Sequence, residues 1–412
     1  MKKVCIISPD TITLPLCKDT PETIVQDNTT YLLRDKCVKS TAIGKRAEYF
    51  AKFLAQTNNV TVLIPDINFP DSDFIDKSKL TFETASYCYT EVQWKFSDKL
   101  FEKLIEYDIV ILQTTAGIGF DVVAKLPKNI FVIVDAWVPL IVEFPAAMSY
   151  HENQEAKIKA WNILRDQYSK LLKRADLILF ANDRQKCFYE GQLYLLDALS
   201  VNDLDYNNKK LLRVPYGIEK NKSVVRKKHD GLKLLWYGAF YPWYDPMLLI
   251  NTVKNHPRIS VDFFGAKHPR YTNYFKTQFN LKEIESYKNI HLIEEYSLED
   301  PTNLFSEYDA CIMLSKNWIE NKYSHRVRVL EVLSRNMPLI INKGSSLLED
   351  LSFLAQNVHE VDSNQLLQQL ECICEYKDTL NDIDISSRLF QIHEVFSWTN
   401  ILTPLQEIIE TL

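Results

Sequence analysis

Short runs of apolar residues alternate with longer amphipathic stretches along almost the whole chain. The runs have the length of strands buried on both faces, whereas the stretches between them repeat their apolar residues with the period of a helix. The runs predict strands in two series, at 3–7, 60–64, 108–112, 130–134, 176–181 and 211–215, and at 233–237, 259–264, 290–293, 309–314, 338–342 and 358–361. The stretches predict helices at 42–56, 97–106, 153–174, 184–199, 246–255, 270–285, 325–335 and 363–376.

This alternation predicts an α/β fold, because a parallel sheet needs helices on both of its faces. Two series of strands indicate two doubly wound, Rossmann-like domains that face each other across a cleft. We place the domains at 1–215 and 216–397, since 216–232 is polar and charged and ends in a turn pair, Asp-Gly. Residues 10–41 are polar without a clear period and predict a loop after the first strand. The last segment, 397–412, predicts a final helix.

Composition narrows the class of protein. The chain has 412 residues, too many for one ordinary core, and its net charge of −6 argues against a protein that coats nucleic acid. No apolar run is long enough to span a bilayer, and the first one is only of strand length, so we expect no membrane span and no signal peptide. The eight cysteines form no CxxC pair, which indicates reduced thiols. We therefore expect a cytoplasmic protein with at most peripheral contact at the inner membrane face.

The spacing of acidic residues and histidines does not predict a metal site. Asp-x-Asp triplets begin at Asp71, Asp203 and Asp382, all in polar segments, where chance explains them better than a metal. The eight histidines form no pair with the spacing of metal ligands. We expect no metal ion and no cofactor.

Glycine is scarce, at nine residues, so each glycine indicates a place where a side chain does not fit. Gly238 ends a predicted strand, at the edge where doubly wound sheets bind ligands, and would let a ligand approach the backbone. Gly265 ends the next strand and precedes Lys267 and His268. A short basic loop at this position is suited to bind a phosphate. The spacing of the residues is equally consistent with a solvated turn that binds nothing.

Two further loops follow predicted strands. The loop after Gly238 is rich in aromatic residues, most of which we interpret as core, and it leads into a helix marked by Asp245 at the N-cap and Pro246 after it. The loop 342–350 contains Gly344 and Ser345 before a capping box. Its N–H groups are candidates for contact with a ligand.

Two arginines stand at the start of the predicted helix 325–335. Ser324 is a good N-cap, which would bring Arg326 and Arg328 to the end of the helix that favours anions over cations. A phosphate group would explain both cations, because it can use the free N–H groups and the guanidinium groups together. The structural alternative is an ion pair with Glu320. Glu331 lies three residues after Arg328, and its carboxylate could accept two hydroxyls of a ribose.

The first half of the chain contains weaker candidates. Gly44 and Arg46 stand at the start of a predicted helix, again a glycine and a cation at a helix N-terminus. Asp135, Trp137 and Glu143 follow a predicted strand closely. A buried, capping carboxylate is the structural alternative for Asp135.

These features together resemble bacterial glycosyltransferases of the GT-B fold, similar to glycosyltransferase family 4. The resemblance spans nearly the whole chain and is most specific at 175–199, 211–218, 234–250, 263–270 and 320–341. A group of these enzymes has a glycine loop, a Trp-x-Asp-Pro stretch, a Gly-x-x-His-Pro turn and an Arg-x-Arg, which match Gly238, Trp243, Asp245, Pro246, Gly265, His268, Pro269, Arg326 and Arg328. Glu331 resembles the second acidic residue of the family's Glu-x7-Glu motif. Tyr323 stands in the place of the first, and Asn336 in the place of a glycine.

The resemblance implies transfer of a sugar from a UDP-, GDP-, ADP- or dTDP-sugar to a glycan or lipid-linked acceptor of the cell envelope, with retention of configuration and without a metal. It implies catalytic roles for Arg326, Arg328 and Asp135, donor binding by Gly238, Lys267, His268, Glu331, Gly344 and Ser345, and an acceptor side with Gly44, Arg46 and Trp137. It also implies that a C-terminal helix, 398–412, packs back on the first domain. The alternatives are a GT-B sugar-nucleotide epimerase and a non-catalytic assembly subunit.

Overall fold

Two parallel sheets and one small hairpin make up the strands of the computed structural model. The structure describes residues 1–9, 23–26, 29–32, 42–65, 88–92, 97–115, 119–150, 152–199, 210–220, 223–265, 278–293, 301–343, 358–377 and 386–412. The described chain divides into two compact units. The first contains Met1–Leu140, Ile158–Gly217 and Trp398–Leu412, and the second contains Ile141–Lys157 and Ile218–Ser397.

The sheet of the first unit has seven parallel strands. They are β1 (Lys3–Ile7), β4 (Asn59–Pro65), β5 (Cys88–Val92), β6 (Ile109–Gln113), β7 (Phe131–Asp135), β8 (Leu177–Phe180) and β9 (Leu211–Arg213). Their order across the sheet is β5-β4-β1-β6-β7-β8-β9. All five residues of β6 are buried, as are the last four of β1. This burial on both faces explains why these strands show as continuous apolar runs in the sequence.

The helices between Ala42 and Leu195 include several that the periodicity predicted. They are α1 (Ala42–Leu54), α2 (Ser97–Leu104), α3 (Phe120–Val123), α4 (Leu140–Ala147), α5 (Gln154–Arg174) and α6 (Asp183–Leu195). The short helices α3 and α4 were not predicted, and the residues of α4 after Leu140 group with the second unit, whereas the sequence placed them in the first domain.

The prediction of a loop at 10–41 is wrong in part. An antiparallel hairpin forms there from β2 (Thr23–Gln26) and β3 (Thr29–Leu32), with Thr23 opposite Leu32. Strand β5 was also missed. In both places polar residues such as Thr29, Thr30, Thr90 and Glu91 interrupt the apolar run on which strand prediction depends.

The sheet of the second unit has six parallel strands. They are β10 (Leu232–Tyr237), β11 (Ile259–Phe264), β12 (Ile290–Ile293), β13 (Ala310–Met313), β14 (Leu339–Asn342) and β15 (Val358–Val361), in the order β12-β11-β10-β13-β14-β15. The strand order reverses between β10 and β13. In open α/β sheets the carboxyl ends of the strands at such a reversal form the usual ligand crevice.

The helices of the second unit are α7 (Pro246–Val253), α8 (Leu281–Ile284), α9 (Thr302–Ser306), α10 (Ile319–Tyr323), α11 (Val327–Leu333), α12 (Leu366–Tyr376) and α13 (Ser386–Phe396). Asp245 caps α7, accepting a hydrogen bond from the N–H of Leu248, and Pro246 is its first residue, as predicted. Asn336 follows α11 with φ 63°, the left-handed conformation for which glycine is usual and which asparagine tolerates.

A final helix, α14 (Trp398–Thr411), returns the chain to the first unit. Its indole at Trp398 stacks on Tyr49 of α1, with 4.4 Å between ring centroids. Across the described ranges, we find no helix with both the length and the apolar character that crossing a bilayer requires.

Candidate active site

Two glycines end neighbouring strands at the ligand-binding edge of the second unit. Gly238 follows β10 with φ 115°, and Gly265 follows β11 with φ 85°, both in the left-handed region that favours glycine. The N–H of Gly238 donates to the carbonyl of Phe264 over 2.7 Å. A Cβ atom on Gly265 would lie 3.0 Å from the Cα of Gly238. The two strand ends therefore approach as closely as backbone allows.

The group packed against Gly238 is the guanidinium of Arg328. A Cβ atom on Gly238 would lie 2.2 Å from Cζ of Arg328 and 2.3 Å from its Nε, so any side chain here would displace the arginine. Nη1 of Arg328 donates to the carbonyl of Ala239 over 3.1 Å. The guanidinium also lies over the rings of Tyr241 and Tyr244, at 5.2 and 5.0 Å from their centroids. The sequence explained Gly238 by a ligand, whereas the structure explains it by an arginine.

Arg328 retains hydrogen-bonding capacity. It is half-buried, and of the five N–H donors of an arginine the described residues account for one, the bond to Ala239. The carbonyl and the two tyrosine rings hold the guanidinium in place. A fixed, partly exposed cation at the carboxyl end of β10 is suited to an anionic ligand.

Arg326 has a different environment. Its Nη1 and Nη2 donate to the two carboxylate oxygens of Glu320 over 2.9 and 2.7 Å, and the two side chains are 6% and 3% exposed. This is the ion pair named above as the structural alternative to a phosphate. The guanidinium also lies 5.0 Å from the ring centroid of Tyr244. Burial opposes the charge of Arg326, but the carboxylate of Glu320 and the neighbouring Tyr244 together raise its pKa.

The helix starts later than the sequence indicated. Ser324 is not its N-cap: it is the residue after α10, and its backbone is extended. Arg326 takes the N-cap position of α11 and makes no side-chain capping bond. The reason is the separate short helix α10, which carries Glu320 and fixes Arg326 beside the carboxylate before α11 begins.

Glu331 of α11 lies near the end of β10. Its carboxylate is 31% exposed, with Oε1 3.7 Å from Nη1 of Arg335. Burial raises the pKa of Tyr237, the last residue of β10, and the charge of Glu331 raises it further. A partly exposed carboxylate can accept hydrogen bonds, and contact of Glu331 with a ribose stays a prediction.

Three residues that the sequence did not single out lie at the ends of β13 and β14: Ser315 and Lys316 come shortly after β13, and Asn342 is the last residue of β14. Ser315 and Asn342 bind each other twice, through the N–H of Ser315 to Oδ1 over 2.9 Å and from Nδ2 to the carbonyl of Ser315 over 2.6 Å. The hydroxyl of Ser315 is buried and has no hydrogen-bond partner among the described residues. Burial lowers the pKa of the neighbouring Lys316. Their position at the end of a predicted strand or directly after it, at 309–314 and 338–342, was the available signal.

Glu143 joins the second unit from α4. Burial raises the pKa of its carboxyl to about 8, the charge of Glu320 raises it as well, and Arg326 acts in the opposite direction. The residue is half-buried. The sequence noted that Glu143 follows a strand but assigned it no role, because nothing local connects it with residues 320 and 326.

In the first unit, Arg46 and Asp135 form a fully buried ion pair. Nε and Nη2 of Arg46 donate to the two carboxylate oxygens of Asp135, each over 2.8 Å. Nη1 and Nη2 also donate to the carbonyls of Pro215 and Val214, over 2.7 and 2.8 Å. The ring of Trp137 lies 5.4 Å from the guanidinium. Asp135 is therefore ion-paired rather than a cap, and the pair gives both residues a structural explanation.

The other predicted residues divide into two groups. Gly44 is buried near the start of α1, and the indole N–H of Trp137 is buried with no partner in the part of the chain that the structure describes. Lys267, His268, Gly344, Ser345 and all three Asp-x-Asp triplets lie outside the described residues. Within the described ranges, no group of three or more His, Cys, Asp or Glu is placed to hold a metal.

Comparison with known proteins gives similarity in structure but not in sequence. No family model and no curated protein matches the chain. Among solved structures, sucrose-phosphate synthase from Thermosynechococcus elongatus is similar with a TM-score of 0.65 and 11% identity, over 100% of this chain and 99% of that one. Anabaena Alr3699/HepE in complex with UDP and glucose gives 0.61 and 11%, over 100% of both chains.

A third similar structure is α,α-trehalose 6-phosphate synthase from Burkholderia multivorans, with a TM-score of 0.60 and 8% identity, over 100% of this chain and 97% of that one. At such low identity the likeness shows the fold. The chain has the GT-B fold, built from two Rossmann-like α/β units, as the sequence predicted.

Proposed function

We propose that this protein is a glycosyltransferase that moves a sugar from a nucleotide-sugar donor to a glycan or glycoconjugate acceptor, with retention of configuration and without a metal ion. We further propose that it acts in the synthesis of cell-envelope polysaccharide. The GT-B fold supports glycosyl transfer, and the similar Anabaena protein holds UDP and glucose. The observation that carries the proposal is the guanidinium of Arg328 fixed at the carboxyl end of β10.

Arg328 would bind the diphosphate of the donor. Glycosyl transfer passes through an oxocarbenium-like state while negative charge develops on the leaving group. A fixed cation lowers the free energy of that state most when it needs no rearrangement as the charge develops. The contacts of Arg328 with Ala239, Tyr241 and Tyr244 provide this fixed position. Its planar fork of N–H donors also matches two phosphate oxygens.

Arg326 would act mainly through its neighbours. Because both of its Nη atoms are bound to Glu320, we assign the phosphate contact to Arg328. Arg326 and Arg328 lie against the same ring, each 5.0 Å from the centroid of Tyr244. The Arg326–Glu320 pair would thus hold Tyr244, and Tyr244 would position Arg328.

Further contacts with the donor are assigned from the positions of residues at the ends of the strands of the second unit. Glu331 would accept the hydroxyls of the ribose, and the buried hydroxyl of Ser315 is a further candidate at the same edge of the sheet. Donor binding by Lys267, His268, Gly344 and Ser345 stays a prediction. Roles for Asp135 in catalysis and for Gly44, Arg46 and Trp137 on the acceptor side also stay predictions.

A ligand screen followed by mutation tests the proposal. UDP-, GDP-, ADP- and dTDP-glucose would be compared by thermal shift, because a ligand at 100 times its Kd adds about 2.7 kcal/mol of stability. Sugar release from the selected donor would then be measured with and without EDTA, and we expect EDTA to have no effect. A folded protein that binds none of the four nucleotide sugars would overturn the proposed function. Loss of sugar release in the presence of EDTA would overturn the proposal that no metal ion is needed.

Arg328→Ala should lower turnover by roughly 10²–10³-fold, the usual loss for one donor that stabilises developing charge. The matched control is Arg258→Ala, since Arg258 lies in the same unit in an exposed pair with Glu375. Equal turnover in both variants would show that Arg328 has no part in the reaction. Conversion of the donor to another sugar nucleotide without an acceptor would identify an epimerase instead.

A further inference from the structure

Two buried polar atoms of the first unit have no hydrogen-bond partner among the described residues. One is Oε1 of Gln113, the last residue of β6, and the other is the indole Nε1 of Trp137, two residues after β7. Gln113 is 1% exposed and Trp137 is 5% exposed. A buried polar group without a partner typically costs about 1–3 kcal/mol of stability, so its presence in a folded protein calls for an explanation such as a bound molecule.

Both side chains contact the buried ion pair of Arg46 and Asp135. The Nε2 atom of Gln113 donates to the carbonyl of Ile43 over 3.3 Å and lies 3.5 Å from Oδ2 of Asp135. The ring of Trp137 lies 5.4 Å from the guanidinium of Arg46. Strands β6 and β7 are neighbours, with Gln113 opposite Asp135. The two side chains therefore meet at the carboxyl ends of adjacent strands, the edge at which doubly wound sheets bind ligands.

The carboxyl end of β6 leads to the surface of the unit. Thr115, two residues beyond Gln113, is half-buried, and its hydroxyl is a third buried polar atom with no partner in the described part of the chain. Two residues of extended chain span at most about 7 Å. A ligand that touches Thr115 is therefore within reach of Gln113.

The charges at this place cancel and are already engaged. Arg46 makes four hydrogen bonds, two to the carboxylate of Asp135 and one each to the carbonyls of Val214 and Pro215. An arginine has five N–H donors, so almost none is left for a ligand. A phosphate or carboxylate here would gain little from the guanidinium and would face the negative charge of Asp135. The surroundings favour an uncharged ligand.

We propose that Gln113 and Trp137 bind an uncharged sugar of the acceptor through its hydroxyl groups. The inference rests on the proposed function, and it narrows the acceptor to one whose bound part is a neutral sugar. The indole N–H of Trp137 can only donate, and Oε1 of Gln113 can only accept. A sugar hydroxyl both donates and accepts, so one hydroxyl, or two neighbouring hydroxyls of one ring, can satisfy both atoms. Both residues bind the sugar, and neither takes part in a covalent step.

The indole N–H of Trp137 reports this binding directly. The chain has seven tryptophans, few enough for their indole signals to be followed in a proton–nitrogen correlation spectrum, and Trp137→Phe identifies the signal in question. The probes are the methyl α-glycosides of glucose, galactose, mannose and N-acetylglucosamine. We expect at least one of them to shift the Trp137 signal saturably, and methyl α-glucuronide, which carries a carboxylate, to leave it unchanged. The signal of Trp161 in the same unit is the internal control and should not move.

Gln113→Leu keeps the size of the side chain and removes the hydrogen-bond acceptor. It should weaken binding of the active glycoside about two- to tenfold, the usual contribution of one neutral hydrogen bond. In the transfer reaction it should raise KM for the acceptor with little change in kcat, because the lost contact exists before and during the reaction. Gln192→Leu is the matched control, since Gln192 is half-buried in α6 of the same unit, and it should change neither value.

The outcomes separate the inference from the proposed function. If no neutral glycoside shifts the Trp137 signal, the inference is wrong, even where a nucleotide sugar binds in the thermal-shift screen. A saturable shift with methyl α-glucuronide alone would overturn the uncharged class, and unchanged affinity in Gln113→Leu would overturn the role of Gln113. Absence of binding by every nucleotide sugar would instead overturn the proposed function. The wild-type spectrum remains decisive if a variant does not fold.

Discussion

Two arginines, two positions apart in the chain, have opposite environments. Arg326 is 6% exposed and bound to Glu320 by both of its Nη atoms. Arg328 is half-buried and makes one hydrogen bond to a described residue. The difference arises because Arg326 precedes the first turn of α11 while Arg328 belongs to it. Both Nη atoms of Arg326 are therefore bound within the protein, whereas Arg328 keeps N–H donors for the ligand of the proposed site.

The ion pair between Arg326 and Glu320 gives a prediction on stability. Glu320→Ala leaves a buried guanidinium without its carboxylate, which typically costs about 3–5 kcal/mol of unfolding free energy. Adding Arg326→Met removes the uncompensated charge and should recover much of that loss. Urea unfolding of the single and double variants measures both values. If the double variant were less stable than Glu320→Ala, the pair would not have the role assigned to it.

Glu143 gives a prediction on pH. Its pKa in the folded protein is about 8, above the ordinary value of 4.5. Between these two pH values the folded state binds the proton and the unfolded state does not, so the free energy of unfolding falls as pH rises. Glu143→Gln has no such proton. The Tm of Glu143→Gln minus that of wild type should therefore increase by a few degrees between pH 5 and pH 8 and stay constant above. A difference that does not change with pH would contradict the raised pKa.

Contacts between elements show which glycines are required by packing, a question that the sequence alone left open. Gly217 follows β9, where a Cβ atom would lie 2.4 Å from Cδ2 of Trp398 and 2.8 Å from Cδ1 of Ile401 in α14. Gly191 lies inside α6, and a Cβ atom there would have no atom within 4 Å. The same residue type is thus required by packing in one element and not in the other.

Alanine at these two glycines should have opposite effects. Gly217→Ala forces α14 away from β9 and should cost about 1–3 kcal/mol, as overpacking of a core does. Gly191→Ala should raise stability by roughly 0.5–1 kcal/mol, because alanine is the better helix former. Thermal unfolding of both variants tests these two predictions, and Gly191→Ala serves as the control for replacing a glycine by alanine. A loss of stability in Gly191→Ala, or none in Gly217→Ala, would refute this explanation.

The chain as a whole leaves the first unit and comes back to it. The first unit is completed by Trp398–Leu412, although α13 just before it belongs to the second. Five apolar side chains of α14 are buried, namely Trp398, Ile401, Leu402, Leu405 and Ile409. Helix α14 is therefore part of the same compact unit as the first strands of the chain.

Deletion of 398–412 should destabilise the first unit selectively. Each buried apolar side chain contributes about 1.5–3 kcal/mol, so five of them approach the total stability of an ordinary domain. Hydrogen exchange resolved along the chain is the measurement. We expect amide protection to fall in β1, β6 and β7 and to persist in β10, β11 and β13. Equal loss in both sets of strands would show that the two units unfold together.

The sequence by itself determined the elements and the fold class. Burial on both faces of a strand leaves a continuous apolar run, and burial of one helix face leaves a 3.6-residue period, so both are visible locally. All twelve predicted strands are present, and the start of α7 was predicted from Asp245 at its N-cap and from Pro246. The hairpin, β5 and α4 were missed because their residues lack these periods.

Tertiary structure alone decided what the candidate residues do. The sequence placed Arg326 and Arg328 at the start of a predicted helix, but their partners are set by the geometry of α10, α11 and the loop after β10. Gly238 makes room for an arginine far along the chain, and burial, together with the charge of Glu320, raises the pKa of Glu143. Charge and burial act through space, and residues nearly two hundred positions apart leave no common pattern in the sequence.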